Sequence, residues 1–171
     1  RVDKMDPNAD IVLIMGGTND NNAPLGTWDT TDTSTFYGGL NHLINELIRK
    51  NNYKSYLEIG LDNPNNNYNK IKCELKECID PFLEEHHKNG FDAKLTNEFL
   101  KSVESILTYK MTSDEFFVQN NKKYDIIFID GLHTKEQVAK DIINSLKVLN
   151  PGGKIIVHDC LPNNERAQSV P

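Results

Sequence analysis

Six short apolar runs constrain most strongly what this chain of 171 residues can fold into. Asp10 to Met15 (DIVLIM), Ser55 to Ile59 (SYLEI), Lys76 to Ile79, Ile106 to Lys110, Tyr124 to Ile129 (YDIIFI) and Lys154 to Val157 (KIIV) are rich in Ile, Val, Leu and Tyr. Short continuous runs of this kind belong to strands buried on both faces, as in parallel sheets. Amphipathic segments lie between them. In Phe36 to Lys50, residues Leu40, Leu43, Ile44, Leu47 and Ile48 fall on one helical face, with Ser34 or Thr35 as N-cap. In Lys135 to Leu149, the stripe is Val138, Ile142, Leu146 and Leu149. Thr134 and Gln137 resemble a capping box, and Asn150-Pro151-Gly152-Gly153 stops that helix. Strands alternating with helices predict an α/β fold with a parallel sheet, and functional groups at the carboxyl ends of its strands.

The length is that of a single domain. Apolar residues make up 37% and charged residues 26%, which suits a globular core. The net charge of −6, from 19 basic and 25 acidic side chains, lacks the positive footprint that nucleic acid or anionic membrane demands. A small-molecule partner is expected instead, and oligomeric state is not readable. The first residues, RVDKMDPNAD, carry no signal-peptide apolar core, and no run approaches the length of a membrane span, so the expected address is the cytoplasm. Cys73, Cys78 and Cys160 are too sparse for a disulfide framework. Cys73 and Cys78 with His86 and His87 fit no compact zinc pattern, which leaves the cysteines as small buried hydrophobes.

From Tyr53 onward the chain resembles a class I S-adenosylmethionine-dependent methyltransferase, specifically methyltransferase family 24. The resemblance rests on YLEIG at Tyr56 to Gly60, CID at Cys78 to Asp80, TYKMTSDEFF at Thr108 to Phe117, YDIIFIDGLHTKEQVAKDI at Tyr124 to Ile142 and LNPGGKIIVHDC at Leu149 to Cys160. It implies a Rossmann-like three-layer sandwich with a mostly parallel sheet, the C-terminal strands of the fold being truncated here. It also implies S-adenosylmethionine as cofactor.

Laid over these residues, the expected site divides in two. On the cofactor side, Glu58-x-Gly60 puts a carboxylate and a side-chain-free turn beside the cationic half of the cofactor. Asp80, twenty residues after Gly60, is placed to accept from both ribose hydroxyls. Thr112, Ser113 and Asp114 would border the adenine, with Ser113 doubling as an N-cap for residues 114–120, and Asp130 would also touch the cofactor. The first loop departs from the family pattern, since Gly60 is followed by LDNPNNNYNKI without a further glycine. Asparagine tolerates left-handed angles, so the turn stays open to it.

On the reacting side, Asp130 and His133 follow YDIIFI, while His158 and Asp159 follow KIIV. Related O-methyltransferases hold magnesium with acidic groups at these two strand ends. The resemblance therefore implies Asp130 and Asp159, with His158, as a Mg2+ or acid/base cluster that aligns and deprotonates an acceptor hydroxyl on a sugar or other small metabolite.

Residues 8 to 50 resemble a different family. NADIVLIMGGTNDNNAPLG looks like a conserved block of SGNH (GDSL-like) hydrolases, in which Asn19 would supply an oxyanion-hole donor. The closing D-x-x-H of that superfamily is spelled by Asp130-Gly131-Leu132-His133, yet the serine-bearing block is missing. An oxyanion donor without a nucleophile has no charge to stabilise. Residues 1 to 52 are thus expected to be an SGNH-like β-loop-α segment without independent stability, joined near Asn51-Asn52-Tyr53 to a methyltransferase-like core at 53 to 171. Three functions follow from this pairing: a methyltransferase, an SGNH-type esterase, or an inactive fused product that keeps a cofactor-binding fold.

Overall fold

The computed structural model describes residues 11–13, 32–61, 67–81 and 108–158. Its elements, in chain order, are β1 (Ile11–Leu13), α1 (Phe36–Asn51), β2 (Ser55–Ile59), a 3-10 turn (Tyr68–Lys70), β3 (Leu75–Ile79), β4 (Thr108–Tyr109), α2 (Ser113–Gln119), β5 (Tyr124–Ile129), α3 (Lys135–Val148) and β6 (Leu149–Val157). The strands form one six-stranded sheet in the order β1-β6-β5-β2-β3-β4. Every pairing is parallel. The apolar runs behave as expected of doubly buried strands: all five residues of β2 are buried, including Glu58.

Alternation along these strands builds a layer on each side. Tyr56, Ile126, Phe128 and Ile156 pack with Leu40, Ile44, Leu47 and Ile48 of α1. The intervening Leu57, Ile59, Ile127, Ile129, Ile155 and Val157 pack with Phe116 and Phe117 of α2 and with Val138 and Ile142 of α3. Helix, sheet and helices make the three-layer α/β sandwich expected. The amino-terminal segment contributes to it directly, because β1 pairs in register with β6 and α1 supplies the cover of one face.

Local sequence explains the element boundaries. Thr35 is the N-cap of α1, its side chain accepting from the Gly38 N–H at 3.2 Å. Asn52 ends that helix in the left-handed conformation, φ 55°, a position asparagine tolerates well. The Asn51-Asn52 junction is therefore a helix end leading into β2. The Asn-Pro-Gly-Gly segment after α3 also differs from a simple loop. It lies within β6, where Leu149 pairs with Tyr124, Lys154 pairs with Ile126, and the irregularity between them absorbs the extra residues. Gly152 sits there at φ 78°, an angle that favours glycine.

Two expectations about the helices are corrected. Ser113 is not the cap of α2. Thr112 is, accepting from the Glu115 N–H at 3.2 Å while Glu115 accepts from the Thr112 N–H at 2.9 Å. The buried line of α3 is also displaced. Leu146 is 46% exposed, and Asp141 and Ser145 are buried beside the half-buried Val138 and Ile142. Burial of Asp141 pushes its carboxyl up, opposed by hydrogen bonds from Ser113 and Gln137. A polar contact with α2, invisible to hydrophobic periodicity, thus fixes the rotation of α3.

Candidate functional site

The sheet order reverses between β2 and β5, because the chain proceeds outward through β3 and β4 on one side and returns through β5 and β6 on the other. Such a switch point opens a crevice beyond the carboxyl ends of the strands. Here that edge is built by one repeated backbone contact. Asp80 N–H donates to Tyr109 O at 3.1 Å, Gly60 N–H to Ile79 O at 2.9 Å, Asp130 N–H to Ile59 O at 2.8 Å and His158 N–H to Ile129 O at 2.9 Å. Each of Gly60, Asp80, Asp130 and His158 lies one residue beyond its strand and is held by the neighbouring strand's last residues. The predicted site residues on four different strands are thereby lined up along one edge.

Gly60 is obligatory at this point. Its φ is 85°, and a Cβ there would stand 2.2 Å from the Asp130 carbonyl oxygen. Only a residue without a side chain lets the ends of β2 and β5 approach so closely. Immediately after it, Leu61 N–H donates to Asp80 Oδ2 at 3.0 Å, so the β3 acid orients the first turn of the loop that follows β2.

Glu58 is 2% exposed. Its Oε2 accepts from the Tyr56 hydroxyl at 2.5 Å and from Asn67 Nδ2 at 3.1 Å, and Asn67 also donates to the Tyr56 oxygen at 2.7 Å. Burial raises the Glu58 pKa to about 8, only partly offset by the Tyr56 hydrogen bond, and the nearby Asp130 charge adds to the rise. Tyr56 and Asn67 were not anticipated from sequence. Tyr56 was readable as a polar-tipped residue on the Glu58 face of β2, two positions away; Asn67 was hidden in the Asn-rich stretch.

The reacting end gathers Asp130, His133 and His158. Asp130 Oδ1 lies 2.8 Å from His158 Nδ1 and 3.2 Å from His133 Nε2. Burial opposes the Asp130 charge, but the hydrogen bonds of His133 and His158 prevail and hold its carboxyl below the ordinary value. Side-chain exposure rises from 12% at His158 through 33% at Asp130 to 48% at His133, so the cluster is seated in the sheet and opens outward. His133 precedes Thr134, the N-cap of α3, whose side chain accepts from the Gln137 N–H. One oxygen and two imidazole nitrogens can thus converge.

The remaining predicted residues are placed as follows. Thr112 serves as the cap described above. Ser113 Oγ accepts from Gln137 Nε2 at 3.1 Å. Asp114 meets Gln137 Nε2 at 3.3 Å and Lys140 Nζ at 3.1 Å, so both side chains tie α2 to α3. Cys78 is buried and Cys73 half-buried, neither of them in a disulfide. Asp159, Asn19, Cys160, His86 and His87 lie outside the described residues. No described helix is long and apolar enough to cross a membrane.

Comparison with known proteins agrees with this architecture. Residues 71–160, just over half of the chain, match methyltransferase family 24, described as a methyltransferase domain. Among solved structures, an O-methyltransferase candidate from Klebsiella pneumoniae is 15% identical with a TM-score of 0.50, over 76% of this chain and 63% of its own. A candidate caffeoyl-CoA O-methyltransferase from Staphylococcus aureus is 24% identical, TM-score 0.49, over 69% of this chain and 56% of its own. The O-methyltransferase TomG from Streptomyces achromogenes, solved with SAM, is 15% identical, TM-score 0.49, over 77% of this chain and 63% of its own. This chain therefore spans less than two thirds of the length of these structures. No curated protein matches it. The D-x-x-H at Asp130 to His133, which the hydrolase resemblance borrowed, falls inside the family match, at the junction of β5 and α3. By that match, the chain belongs to methyltransferase family 24.

Proposed function

We propose that the chain is the cofactor-side core of an S-adenosylmethionine-dependent O-methyltransferase, whose acceptor is a hydroxyl of a sugar or other small metabolite. The observation that carries this reading is the alignment of Gly60, Asp80, Asp130 and His158 along one strand-end edge astride the switch point. Glu58, Gly60 and Asp80 fit the cofactor. Glu58 offers a carboxyl whose buried partners are neutral, so a cationic sulfonium nearby would favour its ionised form. Asp80 supplies an oxygen acceptor suited to ribose hydroxyls, and Gly60 keeps the turn free of a side chain. When bound, the cofactor supplies a methyl carbon already activated by positive sulfur.

The chain's own task is then to align the acceptor and remove its proton. His133 Nε2 lies 3.2 Å from Asp130 Oδ1, and in the tautomer that donates its proton there Nδ1 of that ring is the basic nitrogen. Held by Glu58, Gly60 and Asp80, the cofactor would supply its methyl group to the acceptor oxygen and keep the electron pair of the bond that breaks. The hydroxyl proton passes to His133 Nδ1, and Asp130 stabilises the imidazolium so formed. His158, on the other side of the same carboxylate oxygen, positions Asp130.

Calorimetric titration with S-adenosylhomocysteine tests the cofactor half of the reading, and absence of binding would remove it. For the chemical half, Asp130→Asn is expected to lower methyl transfer to an accepted hydroxyl substrate by about 100-fold or more while S-adenosylhomocysteine still binds. Unchanged turnover in that variant would take Asp130 out of the mechanism.

A further inference from the structure

The residues expected to border the base of the cofactor, Thr112, Ser113 and Asp114, have their polar side-chain atoms engaged within the chain. The Thr112 hydroxyl is taken up by Glu115. Ser113 Oγ accepts from Gln137 Nε2 at 3.1 Å and is also hydrogen-bonded to the buried Asp141. Asp114 meets Gln137 Nε2 through Oδ1, at 3.3 Å, and Lys140 Nζ through Oδ2, at 3.1 Å. Gln137, in the first turn of α3, is the centre of this contact, since its Nε2 also lies 3.1 Å from Asp141 Oδ1.

The surroundings fix which way the Gln137 amide points. Its nitrogen only donates and its carbonyl oxygen only accepts. Around Nε2 stand a hydroxyl and two carboxylates, all able to accept. The opposite orientation would set the carbonyl oxygen against both carboxylates, so the hydrogen-bond network selects the one observed. Oε1 is thereby turned away from the helix contact. It takes no hydrogen bond from the described residues, and on this half-buried side chain it is not sealed from solvent. The position of this acceptor follows from the topology. α2 comes after β4 and α3 after β5, with β2 and β3 lying between those strands in the sheet. Contact between the two helices therefore spans the strands that lead to Gly60 and Asp80. Ser113 is the first residue of α2 and Gln137 the third of α3, so they meet at the carboxyl edge, where both helices begin.

We propose that Gln137 determines which purine this site accepts, its Oε1 receiving a hydrogen bond from the 6-amino group of the base. The inference deepens the S-adenosylmethionine reading and rests on it. With Asp80 holding the ribose, the base meets the α2–α3 contact, and Gln137 offers there the acceptor that Thr112, Ser113 and Asp114 have already committed elsewhere. Adenine carries a donor at position 6, and hypoxanthine carries a carbonyl oxygen in its place. A carbonyl fixed in orientation favours the first and repels the second, so discrimination comes from an unpaired contact with the wrong base as well as a hydrogen bond to the right one. Ser113 and Asp141 act through Gln137. They are positioning residues, which hold the amide with its oxygen outward.

The test is calorimetric titration of the full chain with S-adenosylhomocysteine and with S-inosylhomocysteine, which differs in having the 6-oxo group. The parent is expected to prefer the first by about 30-fold or more, and Gln137→Leu to narrow that preference to within about three-fold. Gln137→Lys separates reading from packing, because an ammonium still donates to Ser113, Asp114 and Asp141 but has no carbonyl. It is expected to lose the preference as Gln137→Leu does, and it carries the comparison should Gln137→Leu unfold. Ser113→Ala leaves the carbonyl in place and is expected to keep a preference of about ten-fold. A merely structural Gln137 would weaken both ligands alike and leave their ratio unmoved. Equal binding of the two ligands by the parent, or the parent's full preference in Gln137→Lys, would overturn the proposal and leave the methyltransferase reading standing. Binding of neither ligand by the parent would strike that reading, and this one with it.

Discussion

Two glutamates on adjacent strands, both buried, are treated by this fold in opposite ways. Glu77 on β3 is surrounded by the hydroxyls of Tyr109 at 2.9 Å and Tyr124 at 2.6 Å and by the ammonium of Lys122. Burial pushes its pKa up, but these partners outweigh burial and hold it below the ordinary value. Glu58 on β2 is bonded by a hydroxyl and an amide, with Lys76 acting on it only through space, and its pKa rises to about 8. A carboxylate whose charge is matched inside the chain is an anchor. One whose charge is left largely unmatched beside the carboxyl edge of the sheet is, under the proposed function, an acid suited to a positive ligand.

The two also pull stability in opposite directions as pH changes. Glu77, with a depressed folded pKa, contributes stability that is present above its unfolded pKa and is lost as pH falls through the folded value. Glu58, with a raised folded pKa, contributes stability that is full below its ordinary value of 4.5 and is lost as pH rises through about 8. The largest expected effect is on the anchor. Glu77→Ala leaves two tyrosine hydroxyls facing a cavity, although Lys122, 44% exposed, can turn to water. A loss of about 2–4 kcal/mol in urea unfolding at pH 7 is expected, from the broken network and the cavity together. A loss below 1 kcal/mol would mean that Glu77 anchors nothing.

Glu58→Gln tests the other half of the comparison. The amide keeps the shape and cannot ionise, so the decline of stability between pH 4.5 and about 8 is expected to flatten in thermal melts across that range. The variant is also expected to lose affinity for S-adenosylmethionine, by about ten-fold near pH 8, while affinity for the uncharged-sulfur product changes less. Equal losses for the two ligands would show that Glu58 reads shape rather than charge.

How much of this was readable in the sequence differs between backbone and side-chain networks. The strands were legible because burial on both faces leaves continuous apolar runs, and their ends pointed to Asp80, Asp130 and His158. The Asp130–His133 contact was legible as an i, i+3 pair just beyond a strand. The Glu77 network was not, because Lys122, Tyr109 and Tyr124 come from separate segments and meet only after the sheet has formed. Asp141 misled for a related reason: a buried carboxyl bonded to Ser113 of another helix looks like part of a solvent face to any periodicity rule, and buried Ser145 reads the same way. Thr112 is a different case. The Thr112-x-x-Glu115 signature of a capping box was present, and the adjacent Ser113 drew attention from it.

That cap supplies the smallest expected effect. Thr112 begins α2 at the same strand-end edge as the candidate site, so its role is either local to the helix or shared with the cofactor. Its side chain already has two engagements, accepting from the Glu115 N–H at 3.2 Å and donating to Glu115 Oε2 at 2.8 Å. A hydroxyl so engaged is expected to act on the helix alone. Thr112→Ala should therefore cost about 1 kcal/mol of stability, with Thr112→Ser restoring most of it. S-adenosylhomocysteine affinity should change by less than about two-fold, because a solvent-exposed cap lost without a ligand contact leaves binding untouched. A drop of ten-fold or more at unchanged stability would reverse the assignment, and place the start of α2 among the groups that, like Glu58, are proposed to meet the ligand.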